Sequence, residues 1–149
     1  PLRKRSLAAG RNLFHATQCA KCHRFAGEGG AVGPDLSTAL QKYSISDLLD
    51  SMLTPSKVIA DQYGSHQVTT AAGKVLVGRA VEVSDEFYVY TVESGDRPIV
   101  LKKDEIDEMI VSKVSQMPVG LMNALNEEEL KDLIAYLQSG GNPKWKGYR

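Results

Sequence analysis

The apolar positions of the chain follow two different periods. Near both ends they recur every three or four residues, which predicts amphipathic helices. Between about Ser65 and Leu101 they alternate or form short β-branched and aromatic runs, which predicts strands. The pattern therefore indicates helical segments on either side of an antiparallel β region.

Each predicted helix begins with a polar residue that can cap it. Residues 6–18 start at Ser6, a second helix starts after Ser44, and the last starts after Asn126. Ser44 and Asn126 are followed three positions later by acidic residues, which is the capping-box arrangement. Pro55 ends the second helix, and a pair of glycines ends the last one.

The β region is expected to contain three or four strands separated by turn residues. Its apolar runs are residues 75–77, 87–90 and 99–101. Four alternating valines would share one face of the first strand, and that face needs a cover. They are Val75, Val77, Val81 and Val83. Because a sheet this small is marginally stable alone, we expect it to pack on the helical part or on a partner.

Composition and charge exclude some partners. The chain has 149 residues, with 18 basic and 18 acidic side chains, so its net charge gives no reason to expect nucleic acid or an anionic membrane. No run reaches the roughly 18 consecutive apolar residues of a membrane span. The chain begins at Pro1 without an apolar signal segment, and we expect it to be a piece of a longer, exported protein.

The strongest chemical signal is the sequence CAKCH at residues 19–23, which uses both cysteines of the chain. It matches the attachment signature of c-type haem, in which each thiol adds to one vinyl group and His23 faces the iron. The alternatives are a thioredoxin-like redox pair or half a zinc site. A redox pair should follow a strand, and His15 and His66 do not form a second ligand pair at zinc spacing.

Residues 19–23 combine with further motifs to resemble class I cytochromes c. These are Gly10 and Phe14, Gly33-Pro34-Asp35-Leu36, Met117-Pro118, and Leu133 with Tyr136. More narrowly, the chain is similar to the haem-binding domains at the C-terminus of large planctomycete and verrucomicrobial proteins. That narrower resemblance rests on residues 33–37, 53–56, 73–78 and 117–121.

The resemblance implies a mainly α fold, with a class I cytochrome c helical core around a covalent haem. A small antiparallel β insertion would lie between the second helix and the loop carrying the methionine ligand. The core would comprise residues 6–63 and 111–140, and the β-rich insertion residues 64–110. Residues 1–5 would be a linker and residues 141–149 a C-terminal tail.

The resemblance also implies roles for single residues. Cys19 and Cys22 would carry the one haem c, and His23 would be an axial ligand of the iron. The carbonyl of Pro34 would accept the free ring N–H of His23 and so fix the imidazole. Gly10 would let the first and last helices cross closely.

Four methionines compete for the other axial position. Met52 and Met109 lie on apolar stripes or beside apolar residues, so core packing explains them better. Met117 precedes Pro118 in a non-helical segment, where a rigid loop can hold the thioether over the iron. We therefore prefer Met117 to Met122 as the second axial ligand. A His23/Met117 pair predicts a positive reduction potential.

We expect an electron-carrier domain rather than an enzyme, possibly part of a larger oxidoreductase. Its partner would be a redox protein or a fused dehydrogenase domain, and its location periplasmic or otherwise extracytoplasmic in a bacterium. The alternative is a haem sensor or a peroxidase-like centre with an open or displaceable sixth ligand. Carbon monoxide binding distinguishes the two, because a tight His/Met site resists it.

Overall fold

The computed structural model describes residues 2–149, and 33% of the chain is helical while 21% is strand. The helices are α1 (Leu7–Ala16), α2 (Cys19–Cys22), α3 (Ile45–Leu53) and α4 (Glu127–Ser139). The strands are β1 (His66–Thr70), β2 (Val75–Val83), β3 (Glu86–Tyr90), β4 (Ile99–Lys102) and β5 (Ile106–Val111). Short 3₁₀ turns lie at Ala39–Lys42, Asp61–Tyr63, Lys103–Glu105 and Lys146–Tyr148.

The predicted helix caps are confirmed. The Ser6 side chain accepts a hydrogen bond from a backbone N–H in the first turn of α1, and Ser44 does the same for α3. Asn126 and Glu129 form a reciprocal capping box at the start of α4. Gly140 ends α4 in the left-handed conformation, with a φ of 62°.

Helices α1 and α4 cross closely and form the centre of the helical part. A Cβ on Gly10 would overlap the Asp132 carbonyl oxygen and the Cβ of Tyr136, so only glycine permits this approach. Three aromatic rings pack at the crossing, where Phe25 lies 5.4 Å from Phe14 and 4.8 Å from Tyr136 between ring centroids. These rings fix the angle at which the two helices meet.

The five strands form one antiparallel sheet in the order β4-β3-β2-β1-β5. Strands β4 and β5 are consecutive in the chain but lie at opposite edges, linked only by the turn Lys103–Glu105. The sheet therefore curls, and apolar side chains from all five strands pack in one cluster around Val68, Leu76 and Val89. We call residues 66–111 the curled sheet.

The expectation of a mainly α fold is wrong. The strands are not a small accessory of a helical protein, because the curled sheet has five members and its own apolar core. The sequence pattern did not predict strand β5, because the acidic residues of this strand interrupt the alternation of apolar positions. Closure brings residues 70 and 106 together, a pairing that local periodicity does not reveal.

The predicted buried face of β2 is also wrong. Val75 and Val77 point outward and are 54% and 51% exposed, whereas Leu76 between them is 7% exposed. The valines alternate as predicted, but the curled sheet buries the side chains of the opposite face. Its core is therefore made by the sheet itself rather than by a cover over the valines.

The curled sheet begins and ends at one place on the helical part. The Ser112 N–H donates to the Ser65 carbonyl oxygen at 2.8 Å. The chain therefore enters and leaves the sheet at two hydrogen-bonded residues. A second junction joins Ala31 to Gly95, whose carbonyl oxygen accepts the Ala31 N–H at 3.1 Å. Within residues 2–149 no helix has the length and apolar character needed to cross a bilayer.

Candidate functional site

A cavity of about 600 Å³ lies between the helices and the loop that follows β5. Its volume is within the range typical of cofactor sites. The residues predicted to hold a cofactor all line it: Cys19, Cys22, His23, Pro34 and Met117. Most of the remaining lining is apolar. It includes residues of α3, of the glycine-rich loop (residues 27–35) and of the segment from residue 55 to residue 63.

The two thiols are presented by the single turn α2. Gln18 has a positive φ of 68°, and this sharp reversal after α1 starts the turn that carries both cysteines. Burial raises the pKa of the Cys19 thiol, and burial followed by the charge of Cys19 raises that of Cys22. A reactive redox pair lowers a thiol pKa instead, so this environment disfavours the thioredoxin-like alternative.

The imidazole of His23 is fixed from one side. Its Nδ1–H donates to the Pro34 carbonyl oxygen at 2.8 Å, as the resemblance implied. This bond selects the tautomer that leaves Nε2 with a free lone pair. Burial lowers the pKa of His23, although the bond to Pro34 opposes this, and the ring is thereby kept neutral and able to bind a metal.

The glycine-rich loop packs tightly against residues 19–23. A Cβ on Gly33 would lie 2.7 Å from Cε1 and 2.9 Å from Nδ1 of His23, so a side chain here would displace the ring. The Gly33 N–H donates to the Cys22 carbonyl oxygen at 2.8 Å. The lack of side chains at this position thus creates the space that the imidazole occupies.

Met117 reaches the cavity from a loop held by two serines. The Met117 N–H donates to Ser115 Oγ at 3.1 Å, and the Ser115 N–H donates to Ser56 Oγ at 3.0 Å. These bonds connect the loop after β5 to the segment after α3. The half-buried thioether of Met117 is therefore carried by a braced, non-helical segment.

The other methionines occupy three different environments. Met52 on α3 is 7% exposed and also lines the cavity, so the sequence reasoning missed its proximity to the site. Met122 is 6% exposed within the helical core, and Met109 packs against the core of the curled sheet. Only Met117 and Met52, among the four, contribute to the lining.

The remaining histidines lie away from the lining. His15 is exposed, with Nε2 3.6 Å from a carboxylate oxygen of Glu28. His66 opens β1, and its Nδ1 accepts the N–H of Ala80 at 3.3 Å. Tyr63 lines the cavity without having been predicted, since nothing in its local sequence marks it.

The donor groups of the described residues are those that a haem requires. Two thiols on one turn, a neutral imidazole with Nε2 available and a thioether surround one largely apolar cavity. These groups are the attachment points and axial ligands that c-type haem uses. The Pro34 carbonyl orients the imidazole, and the missing side chain at Gly33 leaves room for it.

Comparison with known proteins agrees with this chemistry. The family model described as Cytochrome c matches residues 7–86, which is more than half of the chain. The matched segment includes residues 19–23 and ends at the start of β3. No curated protein matches the sequence. The chain therefore belongs to the cytochrome c family.

Proposed function

We propose that this chain is an electron-carrier domain that holds one haem c between His23 and Met117. The observation that carries the proposal is the convergence of both thiols, the imidazole and the thioether on one cavity. Membership of the cytochrome c family supports haem-based electron transfer in general. A haem bound here supplies a one-electron ferric/ferrous couple.

Cys19 and Cys22 would attach the cofactor covalently. Each thiol would add its S–H across one vinyl C=C, so that a C–S bond and a C–H bond would form with nothing lost. No oxidant or reductant is needed. Both cysteines lie on the single turn α2 and line the cavity, which suits two attachments to one macrocycle.

His23 would bind iron through Nε2, because Nδ1 is engaged by Pro34. The hydrogen bond raises the basicity of the imidazole and fixes its plane. Met117 would supply a neutral sulfur ligand, which raises the reduction potential relative to more basic ligand pairs. The braced loop favours Met117 over Met52, whose side chain is fixed in the helical core.

The division of the chain follows from this assignment. Residues 6–63 and 111–140 form the haem-holding part, and residues 64–110 form an insertion between them. The similarity to C-terminal haem-binding domains supports a parent protein in which a dehydrogenase domain, fused or separate, donates the electron. Because covalent haem attachment in bacteria takes place outside the cytoplasm, we place the domain in the periplasm or another extracytoplasmic space.

Spectroelectrochemistry on the chain produced with its haem tests the proposal. We expect haem that stays with the denatured chain, and a reversible one-electron transition at a positive midpoint potential. Replacing both cysteines, as Cys19→Ala with Cys22→Ala, should release the haem on denaturation. A wild-type chain that takes up no haem, or one that shows a clearly negative midpoint, would overturn the proposed function.

A further inference from the structure

Arg79 lies where β2 changes partners. Gly78 is the last residue of β2 that pairs with β1, and Arg79 is the first that pairs with β3. A Cβ on Gly78 would overlap the carbonyl oxygen of Tyr90, so the backbone is crowded at this bend. From the bend the Arg79 side chain extends to the glycine-rich loop of the haem-holding part.

The guanidinium of Arg79 contacts two carbonyl oxygens and lies over two aromatic rings. Nη2 donates to the Ala31 carbonyl oxygen at 2.6 Å, and Nε points to the Val32 carbonyl oxygen at 3.3 Å. The Cζ atom lies 4.5 Å from the ring centroid of Tyr90 and 5.3 Å from that of Tyr63. The planar guanidinium can donate to both carbonyls while it lies over the aromatic rings, whereas a lysine ammonium cannot make the same set of contacts.

The loop that Arg79 holds is the support of the axial histidine. On its inner side, the Gly30 N–H donates to the Ala20 carbonyl oxygen at 2.9 Å, within residues 19–23. Val32 is 4% exposed and lines the cavity. Two residues further along, the Pro34 carbonyl accepts the Nδ1–H of His23.

The curled sheet therefore supports the outer side of this loop. Both backbone polar groups of Ala31 are bonded to it, the N–H to Gly95 and the carbonyl to Arg79. Without the guanidinium, the carbonyls of Ala31 and Val32 would lose their charged donor in a partly buried place. The position of the loop, and with it that of Pro34, would then be less defined.

We propose that Arg79 is a positioning residue for the axial ligand, and that it tunes the haem through the Pro34–His23 hydrogen bond. The inference rests on the proposed function, since it needs a haem on His23. A firm hydrogen bond gives the imidazole more anionic character and favours ferric iron. A loosened bond therefore raises the midpoint potential.

The charge of Arg79 acts in the opposite direction, which makes the two roles separable. A cation near the haem favours the ferrous state, so removing it alone lowers the potential. Arg79→Lys keeps the charge and loses the fork, and Arg79→Gln loses both. Arg97 is an exposed arginine of the same curled sheet region, in the turn before β4, and serves as the matched control.

The experiment measures the midpoint potential and the denaturant midpoint of four haem-loaded variants. They are Arg79→Lys, Arg79→Gln, Arg97→Lys and Arg97→Gln. We expect Arg79→Lys to raise the potential above wild type, Arg79→Gln to lie below Arg79→Lys, and both Arg97 variants to stay near wild type. Proton exchange at His23 Nδ1 in the ferrous protein should be faster in both Arg79 variants and unchanged in both Arg97 variants.

Two results would overturn the inference while leaving the proposed function intact. One is an unchanged potential in Arg79→Lys with a lowered potential in Arg79→Gln, which shows a charge effect alone. The other is lost stability with unchanged potential and unchanged proton exchange, which shows a purely structural role. A wild-type chain that holds no haem would instead reject the proposed function, and this inference with it.

Discussion

His23 is oriented before any cofactor binds. The Pro34 carbonyl fixes one ring nitrogen, Gly33 leaves room for the ring, and burial keeps the imidazole neutral by lowering its pKa. The orienting bond and the space for the ring come from neighbouring residues of one loop, Pro34 and Gly33. This prior arrangement is what a metal ligand needs, because ordering it at binding would weaken the affinity.

Gly33→Ala tests the space around the imidazole. The added Cβ would lie 2.7 Å from Cε1 of His23, so the ring or the loop must move. We expect a loss of stability of about 1–3 kcal/mol by overpacking, together with a shifted midpoint potential. Gly64→Ala is the control, since its Cβ would meet nothing closer than 3.4 Å. Equal effects of the two substitutions would show that Gly33 is not needed to make room for the His23 ring.

Between elements, the crossing of α1 and α4 depends on Gly10. An interior helical glycine replaced by alanine normally gains stability, by up to about 1 kcal/mol, because alanine is the better helix former. Here the new Cβ would overlap the Asp132 carbonyl oxygen and Tyr136. We therefore expect Gly10→Ala to destabilise the protein by about 1–3 kcal/mol in denaturant unfolding. A stabilised variant would show that the helices do not pack as described.

The start of α4 is tied to the N-terminal segment by charge. Glu128 Oε2 lies 2.8 Å from Arg5 Nη1, and Lys131 also bonds the carboxylate. Hydrogen bonds from Lys131 and Arg5 lower the pKa of Glu128 to about 2 from 4.5. A depressed carboxylate pKa stabilises the fold above the unfolded-state value, and this stabilisation is lost as the pH falls through the folded-state value.

Glu128→Gln should therefore lower the unfolding temperature slightly at pH 7. The difference from wild type should shrink as the pH falls below 4.5 and disappear near 2, the two pKa values between which the group titrates. Because the side chain is 64% exposed, added salt should also reduce the difference. Glu127→Gln, which keeps the Arg5 contact intact, is the control. A difference that is independent of pH would contradict the ion-pair explanation.

The elements that sequence predicted best are those decided by neighbouring residues. The caps at Ser6, Ser44 and Asn126 form within a single turn, so a short pattern is enough to find them. The curled sheet is different, because β5 pairs with β1 across some forty residues. Its closure, and hence which face of β2 is buried, depends on contacts that no local period encodes.

The same distinction holds within the candidate site. The motif at residues 19–23 indicates haem attachment by itself, and the resemblance to class I cytochromes c implies the contact between Pro34 and His23. Arg79 could have been suspected as a lone cation in a valine-rich strand, but its target loop is almost fifty positions away. The approach of Met52 to the cavity likewise follows only from the packing of α3.

At the scale of the whole molecule, the curled sheet is joined to the helical part at its ends and at the glycine-rich loop. Because Ser65 and Ser112 are hydrogen-bonded, residues 66–111 can be replaced by a short glycine-rich turn without stretching the chain. We expect the shortened protein to retain haem, with a lower unfolding temperature and faster proton exchange at His23 Nδ1 in the ferrous protein, since the Arg79 and Gly95 contacts are gone. Wild-type proton exchange in the shortened protein would show that the sheet does not position His23.

The proposed electron carrier needs both His23 and Met117 to bind the iron. This ligation is tested most directly by the absorption spectrum of the reduced, haem-loaded chain before and after addition of carbon monoxide. We expect an unchanged low-spin spectrum for wild type and for Met52→Leu, and ready formation of the carbon monoxide adduct for Met117→Leu. Rapid adduct formation by the wild-type protein would contradict ligation by Met117 and would favour a sensing or peroxidase-like centre.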